Sequence, residues 1–220
     1  MLCFSGTLAP LDFIGIDNRR TVNRQRSAFA GAAELLTRTI NMRDAYTAGH
    51  NARVTAYACL LAQHLDLSDT DRELIRVGTP LHDIGKVGID DSILRKPSPL
   101  TAAEFEIMKS HTTKGAAILE PIGELTDLVA IVRSHHERWD GFGYPDRTVG
   151  DETPLLARVV AVADTFDAMT SDRPYRKGLD AEVAFAEIEK QSGRQFDPEI
   201  AFAFLSIKQR IVREMWSARD

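Results

Sequence analysis

The chain has 220 residues, 44% of them apolar and 27% charged, a balance that suits one globular domain and excludes global disorder. Its 27 basic and 32 acidic side chains leave a net charge of −5, which excludes a sequence-independent DNA binder, because such a protein needs a basic footprint. Two cysteines, Cys3 and Cys59, are too few for a disulfide framework and fit a reducing compartment.

Helical periodicity dominates from residue 25 onward. Phe29, Ala33, Leu36 and Ile40 recur at spacings of four, three and four, which predicts a helix over about 25–42. A second helix is predicted from about Gly49 to Leu65, with Val54, Tyr57, Ala58 and Leu61 on one face. Ser68 or Asp69 caps a third that runs toward Leu81. Thr101-Ala-Ala-Glu104 is a capping box that opens a helix through Phe105 and Met108. Further helices are predicted over about 124–136, from Pro154 to Met169, and from Asp180 to Gln191 with Gly193 as the stop. Asp197-Pro198 pairs a cap with proline at the first helical position and starts the last helix, to about Trp216. The β-branched runs Val87 to Ile93 and Val159 to Val162 are short and lie in helical context. Loops rich in Gly, Pro and Asp are expected at Gly85–Pro99 and Asp140–Thr153. The expected fold is all-α, a bundle of roughly seven to nine helices.

Residues 1–26 differ in character and read as an N-terminal extension or linker, or as the stub of an upstream regulatory domain. Residues 27–220 read as the globular domain. The longest uncharged internal run, about Val54 to Leu65, falls short of the ~18 apolar residues that a membrane span needs. Met1 to Leu11 lacks the basic start and long apolar core of a signal peptide. The expected location is the cytoplasm.

Five of the six histidines stand in polar, ligand-like contexts: His50, His82, His111, His135 and His136. His64 stands alone and carries no assigned role. A lone histidine on a helix is more often an ordinary hydrogen-bonded residue, but this set is harder to dismiss. His82-Asp83 and His135-His136 are adjacent pairs, and Asp164 ends the apolar run Val159-Val-Ala-Val-Ala-Asp164. A carboxylate on a buried face costs several kcal/mol unless it is paired or binds a metal. Imidazole with carboxylate suits a divalent transition metal rather than Mg or Ca, and no cysteine lies in the set to make a thiolate zinc site. Helices that supply such side chains to a bundle interior can build a dimetal site, and two metals ~3.5–4 Å apart can clamp a phosphoryl group. Asp83, with two carboxylate oxygens, is the natural bridge.

His82-Asp83 resembles the signature of the HD-domain metal phosphohydrolases. His135-His-Glu-Arg-Trp-Asp-Gly-Phe-Gly-Tyr-Pro145 resembles the extended motif of their HD-GYP subfamily. The likeness runs over about residues 35–207 and takes in Asp44 to His50, His82 to Lys86, His111, Asp164, Ser171 to Lys177 and Gln195 to Pro198. It implies an all-α domain that hydrolyses the bacterial second messenger cyclic di-GMP. It implies one metal on His50, His82, Asp83 and Asp164, and a second on Asp83, His111, His135 and His136. Fe and Mn both suit that set. Members with a third metal use a Glu four residues before the first ligand His, where this chain has Tyr46, so two metals are expected.

The resemblance also casts Lys86, Arg173 and Arg176 as contacts to the substrate phosphates, with Asp83 and Lys86 as the catalytic pair. Solvated surface charge is the alternative for each cation. Lys177 is left open between the two readings. Tyr144 can hydrogen-bond a phosphate or pack under a base, and Gly141–Pro145 is the expected loop for substrate and for a signalling-protein partner. Trp139 and Phe142 can stack on a guanine or anchor that loop. Asp197 reads as a cap. An upstream regulatory domain or a homodimer is compatible with the sequence. The expected product is the linear dinucleotide pGpG; a second cut to GMP is left open and turns on Tyr46. The alternatives are another cyclic dinucleotide, such as cyclic GMP–AMP, and a catalytically silent binding or scaffold domain.

Overall fold

A computed structural model of the chain describes residue 31, residues 35–37, residues 49–172 and residues 177–217. Among these, ten α-helices follow one another, with short 3-10 turns between some of them and no strand. They are α1 (His50–His64), α2 (Asp69–Gly78), α3 (Asp91–Leu94), α4 (Ala102–Lys109), α5 (His111–Leu119), α6 (Val129–Ser134), α7 (Leu155–Thr170), α8 (Ala181–Lys190), α9 (Pro198–Ser206) and α10 (Lys208–Ser217). The two isolated bridges, Asp140 to Val149 and Ser192 to Phe196, pin loops rather than build a sheet.

The all-α expectation holds, and the helix count rises to ten because some predicted stretches divide. α2 stops at Gly78, since Pro80 has no N–H to continue the ladder, and the chain tightens into the 3-10 turn Thr79–Leu81. The stretch predicted as helix over 124–136 begins as the 3-10 turn Gly123–Leu128, in which Leu125 and Leu128 are buried at the three-residue spacing of that turn. The last predicted helix breaks at Ile207, where φ is −106° and ψ is 15°. Ser206 there donates its hydroxyl hydrogen to the Ala203 carbonyl, a local bond that competes with helix continuation. The Gly85–Pro99 stretch, expected as loop, holds the 3-10 turn Ile84–Gly88 and the single-turn α3. The region predicted as a helix over 25–42 lies mostly outside the described residues.

Caps follow the sequence. Thr101 and Glu104 close a reciprocal capping box, with the Glu104 N–H donating to Thr101 Oγ1 at 3.3 Å and the Thr101 N–H to Glu104 Oε2 at 2.7 Å. Asp197 accepts from the N–H groups of Glu199 and Ile200 ahead of Pro198, as a structural cap should. It also pairs with Arg158.

Two apolar clusters flank the middle of the bundle. In the larger, α1 packs on α7, and α8, α9 and α10 close around Tyr57, Phe166, Phe185 and Phe204. The Phe166 ring stacks on Phe185 at a centroid distance of 4.7 Å and meets Tyr57 edge-on at 5.5 Å. Burying such a ring stabilises the fold by about 1.5–3 kcal/mol. The smaller cluster gathers Val77, Leu81, Ile84, Leu119, Leu125, Leu128 and Val132 from the end of α2, the turns, α5 and α6. No helix among the described residues is long and apolar enough to cross a membrane.

Candidate metal centre

The polar side chains gather between the two clusters. His50 opens α1, and Asp164 lies three turns into α7, so the packing of those two helices brings His50 Nε2 to 3.3 Å from Asp164 Oδ1. His82 and Asp83 follow the Thr79–Leu81 turn. The next turn presses against α5 so closely that a Cβ at Gly85 would lie 1.8 Å from the His111 carbonyl oxygen and 2.5 Å from the Gly115 nitrogen. A Cβ at Gly115 would in turn lie 2.6 Å from Val132 Cγ1 on α6. Two glycines thus let the Asp83 turn meet α5 main chain to main chain and let the Val132 side chain of α6 press onto the α5 backbone. That contact places Asp83 Oδ1 3.4 Å from His111 Nε2, while Asp83 Oδ2 lies 3.4 Å from His82 Nε2. His135 caps α6 at its C-terminus, and His136 follows it.

Three sets of donor atoms converge closely enough to hold a metal ion: His50, His82 and Asp164; His82, Asp83 and His135; and His111, His135 and His136. All seven side chains named from sequence as metal ligands are therefore brought together. Except for Asp164 and His136, which are partly exposed, they are buried. His64 lies apart and meets Ser206 at 2.7 Å.

The ring nitrogens are sorted. His82, His111 and His135 each turn Nδ1 to the carbonyl three residues back, on Thr79, Met108 and Val132, at 2.7, 2.8 and 2.9 Å. Burial, together with neighbouring positive charge, holds His111 and His135 below the ordinary imidazole range, hence neutral. A neutral ring that donates through Nδ1 has a bare lone pair on Nε2. His111 Nε2 and His135 Nε2 face each other at 3.4 Å, so two lone pairs oppose across the centre. A cation removes that conflict, and the imidazole and carboxylate donors fit a divalent transition metal.

Charge divides the centre. Burial disfavours the protonated ring of His50, but Asp164 and Asp167 outweigh it and raise its pKa to about 9. Burial, with the neighbouring His111, lowers His136 to about 4, because Asp164 and Asp83 pull on it too weakly to offset that. The cations and imidazoles around Asp83 hold its carboxyl well below the usual range against the burial that would raise it.

Lys86 sits in the 3-10 turn Ile84–Gly88, and its Nζ lies 2.7 Å from Asp83 Oδ2. Tyr144 packs its ring on His136 at a centroid distance of 4.9 Å and 33° between planes. Burial and the nearby carboxylates keep its phenol protonated. The loop that carries it is folded tightly: a Cβ at Gly143 would lie 2.5 Å from the Arg138 nitrogen. Trp139 anchors the loop, donating its N–H to the Gln195 carbonyl and lying under the Arg158 guanidinium, whereas Phe142 is exposed. Lys177 is exposed. Asp44, Tyr46, Arg173 and Arg176 lie outside the described residues.

Three side chains went unnoticed in the sequence. Asp167, fully buried, takes a hydrogen bond from His50 at 2.8 Å. Arg53 grips the same carboxylate at 2.6 and 3.0 Å. Glu137, buried behind the histidine pair, accepts from the Asp146 and Arg147 N–H groups at 2.6 and 3.1 Å and so folds the loop back. The spacing of Asp167 from Asp164, three residues on one helix, was a signal within reach.

Residues 34–200 match the HD domain family. The chain is 45% identical over 182 residues to the cyclic di-GMP phosphodiesterase of Thermotoga maritima, covering 81% of this chain and 49% of that protein. It is 42% identical over 177 residues to the cyclic di-GMP phosphodiesterase response regulator RpfG of Xanthomonas campestris pv. campestris, covering 77% and 46%. It is also 37% identical over 172 residues to a 3'3'-cGAMP-specific phosphodiesterase of Vibrio cholerae, covering 78% and 37%. The chain thus spans about half the length, or less, of these curated relatives. The HD domain of the L. monocytogenes phosphodiesterase PgpH has the same fold, with a TM-score of 0.58 at 19% identity over 82% of this chain and 98% of that one. The ordered histidines and aspartates, the Gly-Tyr-Pro loop and this match together show that the chain belongs to the HD-domain family, in its HD-GYP subfamily.

Proposed function

We propose that this chain is a metal-dependent phosphodiesterase that hydrolyses cyclic di-GMP to the linear dinucleotide pGpG. The observation that carries the reading is Asp83, whose two oxygens reach one toward His82 and the other toward His111. One carboxylate thereby spans two donor groups, as a dimetal centre requires. His50, His82, Asp83 and Asp164 would hold one divalent ion, and Asp83, His111, His135 and His136 would hold the other. Fe(II) and Mn(II) both suit these donors. When bound, such a pair polarises a phosphoryl oxygen and supplies a nucleophile at neutral pH.

The protein's own residues do the rest. Lys86 brings a positive charge to the edge of Asp83, where charge grows on the phosphoryl oxygens. Tyr144, packed on His136, bounds the site with a protonated hydroxyl able to donate to a phosphate oxygen. Arg173 and Arg176 complete the phosphate contacts as planar donor forks. The Gly141–Pro145 loop, with exposed Phe142, is the surface for a signalling partner, and the protein works in the cytoplasm. The chain is 45% identical to a relative named for cyclic di-GMP and 37% identical to one named for cyclic GMP–AMP, so the base is the point to test.

The test is hydrolysis followed by chromatography, after loading with Mn(II) or anaerobic Fe(II), with Asp83→Ala as control and a metal count on each sample. Turnover with about two metals per chain, lost in the variant, supports the reading. Metal binding with intact cyclic di-GMP and cleaved cyclic GMP–AMP reassigns the substrate. Metal binding with neither cleaved favours the silent binding domain.

A further inference from the structure

His50 is oriented differently from its neighbours. His82, His111 and His135 each hydrogen-bond the carbonyl three residues behind, within their own turn or the helix just before it. His50 is the first residue of α1, entered through Gly49 at φ +84°, so no earlier turn of its own helix stands behind it. Its Nδ1 instead reaches across to α7, 117 residues away in sequence, and donates to Asp167 Oδ2 at 2.8 Å.

Asp167 is itself fixed. The Arg53 Nε–H donates to Oδ1 at 2.6 Å, and Arg53 Nη2 donates to Oδ2 at 3.0 Å. The Ser171 hydroxyl donates to Oδ2 at 3.1 Å and accepts from Arg53 Nη2 at 2.9 Å. A two-pronged guanidinium grip sets the plane of a carboxylate, which a single ammonium does not. The plane of Asp167 then sets the ring of His50 and the direction of Nε2, which points to Asp164 at 3.3 Å.

We infer that Asp167, gripped by Arg53, is the positioning residue that aims His50 at the metal held by His50, His82 and Asp164. The inference rests on the metal-centre reading above. A carboxylate behind a ligating imidazole fixes the tautomer and strengthens the donor, and losing such a partner weakens metal binding about 10- to 100-fold. The effect is confined to one half of the centre, because His111, His135 and His136 do not lean on Asp167.

The full chain is loaded with Mn(II), and its metal is counted in competition with a chelator. Wild type is expected to hold about two ions, and Asp167→Asn to hold one at a chelator strength that leaves wild type loaded. In a His136→Ala background, adding Asp167→Asn removes the remaining ion. In a His50→Ala background, it changes nothing. A part played only in holding α1 to α7 would lower the melting temperature and leave this split unmoved. Where Asp167→Asn fails to fold, Arg53→Lys carries the test, since it keeps the charge but loses the fork. Its expected result is a weaker first ion and an unchanged second. Unchanged affinity in these variants, or equal loss of both ions, overturns the inference. Wild type that binds no Mn(II) overturns the metal-centre reading and this inference with it.

Discussion

The half of the centre formed by His50, His82 and Asp164 is fixed by charge, whereas the half formed by His111, His135 and His136 is fixed by main-chain contact. In the first, carboxylates stand around His50, and Arg53 locks one of them. In the second, the donors are imidazoles, and Gly85 and Gly115 set how near their segments come. The lesson is that one bundle can hold two neighbouring sites at different protonation costs. A charged half must lose a proton from His50 before it can bind a cation, and an imidazole half held neutral need not.

The largest expected effect falls on the residue the halves share. Asp83→Ala removes the carboxylate from both, so activity on cyclic di-GMP should drop by at least about a thousandfold, with both ions lost. Turnover by chromatography and a metal count check this. Gly85→Ala should strike the imidazole half. Its Cβ would meet the His111 main chain, which cannot swing aside, so the Asp83 turn and α5 must part. Overpacking of this kind costs about 1–3 kcal/mol, seen in the melting temperature, and activity should fall further than stability accounts for. Phe166→Ala acts on the other side of the bundle. It should cost about 3–5 kcal/mol in denaturant unfolding while leaving metal stoichiometry intact in the protein that stays folded.

The pH dependence sharpens the comparison further. With its folded pKa raised to about 9, His50 holds a proton at neutral pH, so metal affinity of its half should rise with pH up to about 9, by about tenfold per unit. The half with His136, held at about 4, should change little between pH 6 and 9. Titration of Mn(II) at pH 6, 7 and 8 resolves the two. In the metal-free protein the sign for stability is reversed. Protonated His50 contributes stability that is fully present below its unfolded value of 6.5 and is lost as pH rises through about 9. The smallest effect is expected outside both halves. Arg133 pairs with Asp146 at 2.7 Å on the surface, and Arg133→Ala should cost at most about 1 kcal/mol by unfolding, with activity unchanged.

Most of the donor set was legible because its members are chemically unusual where they stand. Adjacent histidines, and an aspartate closing an apolar run, have few ordinary explanations. Caps were legible for the same reason, since Thr101 with Glu104 and Asp197 with Pro198 satisfy local rules. Asp167 was not legible as a partner of His50, because their contact joins residues 117 apart and depends on how α1 and α7 cross. Gly85 read only as the first residue of an expected loop. Only the approach of α5 reveals it as a point of contact. The break at Ile207 escaped notice because the apolar pattern continues across it and buries Ile211 on the far side.

The Gly85 and Gly115 contact has a practical consequence. Side chains breathe and change rotamer, but two backbones in contact act as a rigid gauge. The separation of Asp83 from His111 is therefore insulated from repacking of the surrounding apolar residues. Attempts to retune which metal the protein prefers should exchange donor atoms and leave the core alone. Libraries that vary Leu119, Leu125 and Leu128 should yield proteins of differing stability but one metal preference.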